Sequence, residues 1–258
     1  QTHREHPDKF ITKHVGGFKL VNVWDQDPAA AQRFAASFKD RPRVCASLKE
    51  ATHGADAAII ANCSFDGSDH LQLATPLLKA GLPVFIDKPF AENYRDAKAI
   101  VRLAEKHNAP LMGASLLHYA SELKQFWGRR SEIGKVDLGI IHGCHGWETP
   151  GGNEGITHGI ASAMHAFGDD VESVESIGDL PRQFILLHYP DSKQVMIINR
   201  DQTDLPDKFI AEAWGQAHIQ SVGAGDAEYM TAGYRMLSAF KKMVRTGKTP
   251  TPSEKLLT

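Results

Sequence analysis

The chain of 258 residues carries a formal net charge of −2, with 42% hydrophobic and 23% charged residues, the profile of an ordinary globular protein of roughly two domains. That charge excludes a nucleic-acid surface as its main business, because phosphate binding needs a basic footprint, and no apolar run approaches the roughly 18 residues of a membrane span. Three cysteines, Cys45, Cys63 and Cys144, are an odd number at wide spacing and suit no disulfide framework, so a reducing, cytoplasmic setting is expected.

Residues 1–17 read as the tail of a helix and a Gly-Gly turn. Phe18-Lys19-Leu20-Val21-Asn22-Val23-Trp24 then reads as a strand with Asp25 at its C-terminal end. Asp27-Pro28 is a helix start, with aspartate as N-cap and proline at the first helical position. Val44 marks a short strand, and Ser47 caps a short helix over Leu48 to His53. Ala57 to Ala61 is a buried strand that ends in Asn62-Cys63-Ser64. A helix from Asp69 to Ala80 follows and closes on Gly81, with Pro76 expected to kink or divide it.

Val84-Phe85-Ile86 is a short, wholly apolar strand that delivers Asp87, Lys88 and Pro89 to its C-terminal end. Ligands of open α/β sheets bind outside the carboxyl ends of the strands, where a lysine can reach a substrate. Pro89 biases Lys88 toward extended geometry and has no N–H to continue the ladder. Taken alone, Asp87 and Lys88 serve equally well as a solvated strand end. Asn93 with Asp96 makes a capping-box start for a helix ending near His107, and Pro110–Gly113 is a last short strand. Strands alternating with helices predict βαβ units and a parallel sheet.

After about His118 the pattern changes to longer strands over Val136–Gly143, Val171–Ile177, Phe184–Tyr189 and Gln194–Asn199, with two more over Phe209–Trp214 and His218–Val222. Helices are expected near His158–Phe167 and over Ala227–Arg245. Runs of strands with few helices predict an α+β domain with a largely antiparallel sheet. The expected division is residues 1–118 as an α/β Rossmann-like domain and 119–258 as the α+β domain. His142 and Cys144 fall on one face of a strand, but no second cysteine pair supports a metal site, and none is expected.

In order and spacing, these pieces resemble the glucose–fructose oxidoreductase / inositol dehydrogenase family of nicotinamide-dependent oxidoreductases. The likeness is carried by Val23-Trp24-Asp25-Gln26-Asp27-Pro28, by Ile59-Ile60-Ala61-Asn62 with His70 following, by Gly81 through Pro89, and by Glu154-Gly155-Ile156-Thr157-His158. It implies a Rossmann domain for NAD, with NADP possible, and a second domain that closes the site for a sugar or polyol and makes a homodimer or homotetramer. Asp25, Asn62, His70, Asp87 and Lys88 would then contact the cofactor. A carboxylate at the position of Asp25 accepts from ribose hydroxyls and repels a 2′-phosphate, and Gln26 in place of arginine favours NAD.

The resemblance also implies that His158 is the general base, suited by a pKa near neutrality. Lys88 would stabilise the developing alkoxide and Glu154 would orient the imidazole. Asp87 is one methylene shorter than the family's usual glutamate, and Glu154 one longer than its usual aspartate. These altered acids motivate one alternative, a non-catalytic dinucleotide-binding regulatory relative; the resemblance itself implies another, a lyase or hydrolase working through transient oxidation, as some relatives use. The chain contains no G-x-G-x-x-G. Family members carry it between the first strand and first helix, so the chain is expected to be a piece of a longer protein, because a sheet without its central strand leaves two buried edges unpaired.

Overall fold

The computed structural model describes residues 14–61, 66–145, 153–179, 182–201, 209–216, 219–224 and 226–257. The helix tail expected before residue 14 lies outside them. The chain divides into two compact units, one of Val15–Ala114 with Leu237–Thr258 and the other of Gln1–His14 with Ser115–Met236.

In the first unit β1 (Asn22–Val23) pairs in parallel with β2 (Arg43–Val44). A second parallel sheet holds β3 (Ala58–Ile60), β4 (Val84–Ile86) and β5 (Leu111–Gly113), with β4 in the middle. The connecting helices are α1 (Pro28–Ala36), α2 (Leu48–Ala51), α3 (His70–Lys79) and α4 (Tyr94–Lys106). Three of them start on the side chains that mark them in the sequence. Asp27 accepts from the Ala29 N–H at 2.8 Å, Ser47 from Glu50 at 3.2 Å and Asn93 from Asp96 at 3.0 Å. Each satisfies a donor that the first turn leaves without an intrahelical partner.

Two expectations change. The strand over Phe18–Trp24 shrinks to Asn22 and Val23, because among the described residues its ladder partner is the two-residue β2; Phe18, Leu20 and Val21 are exposed. Pro76 does not divide α3, which runs through it to Lys79. One missing N–H is a local cost, outweighed by the burial of Leu73, Ala74, Leu77 and Leu78 along the same helix. The core of the unit sits around β4, whose Val84 and Ile86 are 0% exposed. They pack among Leu77 and Leu78 of α3, Ile100 and Val101 of α4, and Leu111 of β5.

The second unit opens with a 3-10 turn over Leu116–Tyr119, then α5 (Ser121–Gly128) and α6 (Arg130–Ile133). The strand β6 (Val136–His145) and helix α7 (Asn153–Phe167) follow. The remaining strands are β7 (Ser173–Ile177), β8 (Arg182–His188), β9 (Gln194–Asp201), β10 (Phe209–Gly215) and β11 (Ile219–Ala224). They form one sheet in the order β11-β10-β6-β9-β8-β7. Every neighbouring pair is antiparallel except β6 with β9, which run in parallel.

One face of this sheet is core. Ile141, Ile185, Leu187, Val195 and Ile197 pack with Phe167 of α7 and Leu123 and Phe126 of α5. A Cβ on Gly139 would stand 2.6 Å from the Phe167 ring, so glycine there lets the helix close on the strand. Val174, Ile177, Phe184 and Trp214 are exposed. The final helix α8 (Asp226–Thr246) contributes residues to both units. In the first unit its Phe240 ring lies 5.8 Å from that of Phe18 and 5.9 Å from that of Phe85.

Ile86 combines full burial with a position one residue before Asp87. Ile86→Ala is expected to cost about 2–5 kcal/mol of unfolding free energy, the usual range for truncating a buried aliphatic. Urea denaturation checks this, and a loss near zero would contradict the packing around β4.

Candidate active site

The exit of β4 is built from the backbone outward. The Asp87 N–H donates to the Ile60 carbonyl at 3.0 Å, carrying the ladder with β3 one residue past the strand. Pro89 follows Lys88 through a cis peptide bond. Asp87 and Lys88 are half-buried. His70, the first residue of α3, is fully buried, and its Nδ1 lies 3.2 Å from the Phe90 carbonyl oxygen. A carbonyl only accepts, so Nδ1 carries the proton and donates. The His70 Nε2 lies 3.9 Å from Oδ1 of Asp69.

Gly67 completes the support, with φ of +76° and the Pro89 oxygen 2.9 Å from where its Cβ would stand. No other residue fits a left-handed backbone so close to a neighbouring chain segment. The loop before α3 therefore braces the Asp87–Phe90 turn from behind. His70, expected on the cofactor, sits inside this brace. Asp25 is half-buried just beyond β1, where its Oδ1 accepts the Asp27 N–H at 2.8 Å. That bond orients the carboxylate. Asn62 lies outside the described residues.

In the second unit α7 begins at Asn153, five positions before the start read from the sequence. Glu154 and His158 therefore fall one turn apart on a single helix, although the Glu154 side chain lies outside what is described. His158 is 5% exposed, and its Nδ1 lies 2.8 Å from the Ser115 hydroxyl. Ser115 was not among the residues singled out in the sequence. It stands 43 positions away, and its only local signal is its place as a serine cap ahead of Leu116–Tyr119.

Two turns along α7 from His158, the His165 ring meets the His118 ring edge-on, at 6.5 Å between centroids and 76° between planes. His118 in turn donates from Nδ1 to the Ser115 carbonyl at 3.2 Å. Burial holds the His165 imidazole below the ordinary histidine value of 6.5, and the His118 charge lowers it further. His118 is partly open to solvent, yet the packing around its ring pushes its pKa down as well.

The second unit also holds a cavity of about 640 Å³ lined by Trp127, Lys135, Phe167, Asp170, Asp191 and Lys193. None of the sequence-predicted residues lines it. Lys193 is buried there, its ammonium 2.9 Å from the Phe167 carbonyl and 4.0 Å from the centre of the Tyr189 ring. That donation satisfies the C-terminal end of α7, where a cation also suits the helix dipole. Among the described residues no group of three or more His, Cys, Asp or Glu could hold a metal, and no helix is long and apolar enough to cross a membrane.

A histidine held neutral in the folded state stabilises it above the unfolded pKa, and that stability is lost as the pH falls through and below it. Unfolding free energy should therefore decline as pH drops from about 7 toward 5. His165→Leu should decline less steeply over the same window. Urea midpoints measured at both ends for the two proteins check this, and identical slopes would contradict the His165 environment.

Comparison with known proteins agrees with this architecture. Residues 3–114 match the oxidoreductase family with an NAD-binding Rossmann fold. The chain is 31% identical over 127 residues to the myo-inositol dehydrogenase Hyg17 of Streptomyces leeuwenhoekii, covering 48% of this chain and 38% of that protein. A second curated relative is matched over 32% of its length, so the matched stretches span only about a third of the curated relatives. The fold resembles a myo-inositol dehydrogenase from Corynebacterium glutamicum, with a TM-score of 0.74 at 17% identity over 92% of this chain and 84% of that one. It also resembles GenD2 from gentamicin A biosynthesis, solved in complex with NAD, with a TM-score of 0.80 at 12% identity over 93% and 83% of the two chains. At these identities the likeness to solved structures is one of fold. The Rossmann unit is thus matched in sequence by the NAD-binding oxidoreductase family, and the mixed, largely antiparallel second unit completes the fold seen in these dehydrogenases of known structure.

Proposed function

We propose that the protein is an NAD-dependent dehydrogenase or reductase that moves a hydride between the nicotinamide and a secondary alcohol or ketone of a sugar or polyol. The observation that carries this reading is Lys88 at the exit of the fully buried β4, on a turn braced from behind by His70 and Gly67. A braced amine at a strand end suits positioned chemistry better than a solvated terminus does. The donor set fits a dinucleotide: Asp25 offers a carboxylate to ribose hydroxyls, and Asp87 offers a second one beside Lys88. When bound, the dinucleotide supplies the hydride acceptor or donor.

The residues of this chain do the rest. His158 takes the proton of the substrate hydroxyl as the alcohol is oxidised, and returns it in the reverse direction. Lys88 stabilises the alkoxide that develops in between, and Glu154 orients the imidazole. Asp25, Asp87 and Asn62 bind the cofactor, while His70 acts by holding the Asp87–Phe90 turn. Within the family, the name of Hyg17 supports a polyol such as an inositol as substrate. The exposed Ile177, Phe184 and Trp214 on the outer face of the sheet support a homodimer or homotetramer, since apolar surface of that kind favours being covered.

Lys88→Met is expected to lower turnover by at least about a hundredfold, the low end of a general acid–base contribution. Myo-inositol and a panel of aldoses with NAD serve as the assay. Turnover equal to that of the native chain would refute the role of Lys88, and a chain that binds dinucleotide but turns over none of the panel would favour the non-catalytic reading.

A further inference from the structure

The cavity of the second unit has no part in the roles assigned above. Neither Lys88 nor His158 lines it, and Phe167 at its wall stands about 14 Å beyond His158 along α7, at about 1.5 Å per residue. Its volume of about 640 Å³ falls within the about 300–1,000 Å³ usual for small-molecule sites. At its floor Lys193 is 6% exposed. An ammonium has three donors. Among the described residues the Phe167 carbonyl takes one of them at 2.9 Å, while the ring centres of Tyr189 and Trp127 lie 4.0 and 5.5 Å from the nitrogen. Donors therefore remain for a ligand oxygen. The charged groups of the lining are Lys135 and Lys193 against Asp170 and Asp191, which cancel. Burial holds the Tyr189 phenol above its ordinary pKa, and the charges of Asp170, Asp169 and Asp191 raise it further. The phenol keeps its proton and donates it to the Gly168 carbonyl at 3.0 Å.

We propose that this cavity is a second binding site, separate from the catalytic one, for a neutral polyhydroxylated molecule of the size of one sugar ring. The lining selects that chemistry by elimination and by fit. An anion drawn to Lys193 enters the field of the same carboxylates that act on Tyr189, and a cation finds the Tyr189 and Trp127 rings already occupied by the Lys193 ammonium. A hydroxyl group both donates and accepts. It can give its proton to Asp170 or Asp191 and take one from Lys135 or Lys193, and hydrogen bonds to charged partners are the stronger kind. Trp127 is half-buried at the wall and offers apolar surface to the C–H side of such a ring. The site stands whether or not Lys88 and His158 act as described above, because it shares no side chain with them.

Titration of the full chain with myo-inositol and with D-glucose, read on the indole N–H signal of Trp127 by NMR, tests this. Trp127→Phe identifies the signal by its loss. A saturable shift with at least one of the two polyols is expected, and none with sodium phosphate or methylammonium chloride. Ser131→Phe, which adds bulk to the lining without touching Lys193, should abolish the shift. Asp170→Ala should weaken binding roughly tenfold or more, as the loss of a hydrogen bond to a charged group does. A shift with phosphate or methylammonium in place of the polyols overturns the proposal. So does the absence of a saturable shift with both polyols, or a polyol shift that Ser131→Phe leaves intact, which would place the binding elsewhere. Turnover plays no part in the readout, so a failure here is distinct from a failure of the dehydrogenase reading, and the native titration alone can overturn the site if a variant does not fold.

Discussion

The burial of β4 is the constraint on which the first unit depends. Three consecutive apolar side chains, paired in parallel on both sides, leave no polar surface of their own. Such a strand must be covered on both faces: α3 and α4 supply Leu77, Leu78, Ile100 and Val101 over Val84 and Ile86, and Phe240 of α8 meets Phe85 on the other face. The polar residues that follow have one direction to go, out of the carboxyl end of the sheet. The loop before α3 then meets them there, with His70 bonded to the Phe90 carbonyl and Gly67 under Pro89. The strand thus defines where Lys88 emerges, and the brace defines how firmly.

The second unit solves a different packing problem. Its sheet is longer and open, with a core face pressed on Phe167 and an opposite face where Ile177, Phe184 and Trp214 meet solvent. Helix α7 lies on the core side and carries the proposed base on the same element that seals the core: Phe167 ends it, and His158 and His165 stand on earlier turns. Lys193 ties down its last carbonyl. A histidine on such an anchored helix is held in place, which is what the acid–base role proposed for His158 requires.

The features legible in the sequence are those with local causes. Asp27-Pro28, Ser47 and the Asn93–Asp96 pair announce helix starts through side-chain capping, and the apolar run Val84–Ile86 announces a buried strand. The apolar run Phe18–Trp24 exceeds the strand it forms because apolar residues alone do not make a ladder; a partner does, and β2 offers two residues. The start of α7 is hidden in the sequence because the Gly-rich stretch ahead of it looks like loop, with Glu154-Gly155 inside the helix. The parallel pairing of β6 with β9 and the meeting of Ser115 with His158 have no local cause at all. They follow from topology, which brings together residues that no periodicity links. Asp25 and Lys88 stood out through their places at strand ends, but the brace behind Lys88 is again a product of tertiary packing.

The central claim is that the first unit binds NAD and uses its strand ends to do so. A fluorescence titration of the full chain with NADH, run in parallel with NADPH, tests it most directly. Saturable binding with a clear preference for NADH is the result expected of a carboxylate at Asp25 followed by Gln26. A preference for NADPH would contradict the role given to Asp25, and binding of neither would contradict the claim as a whole.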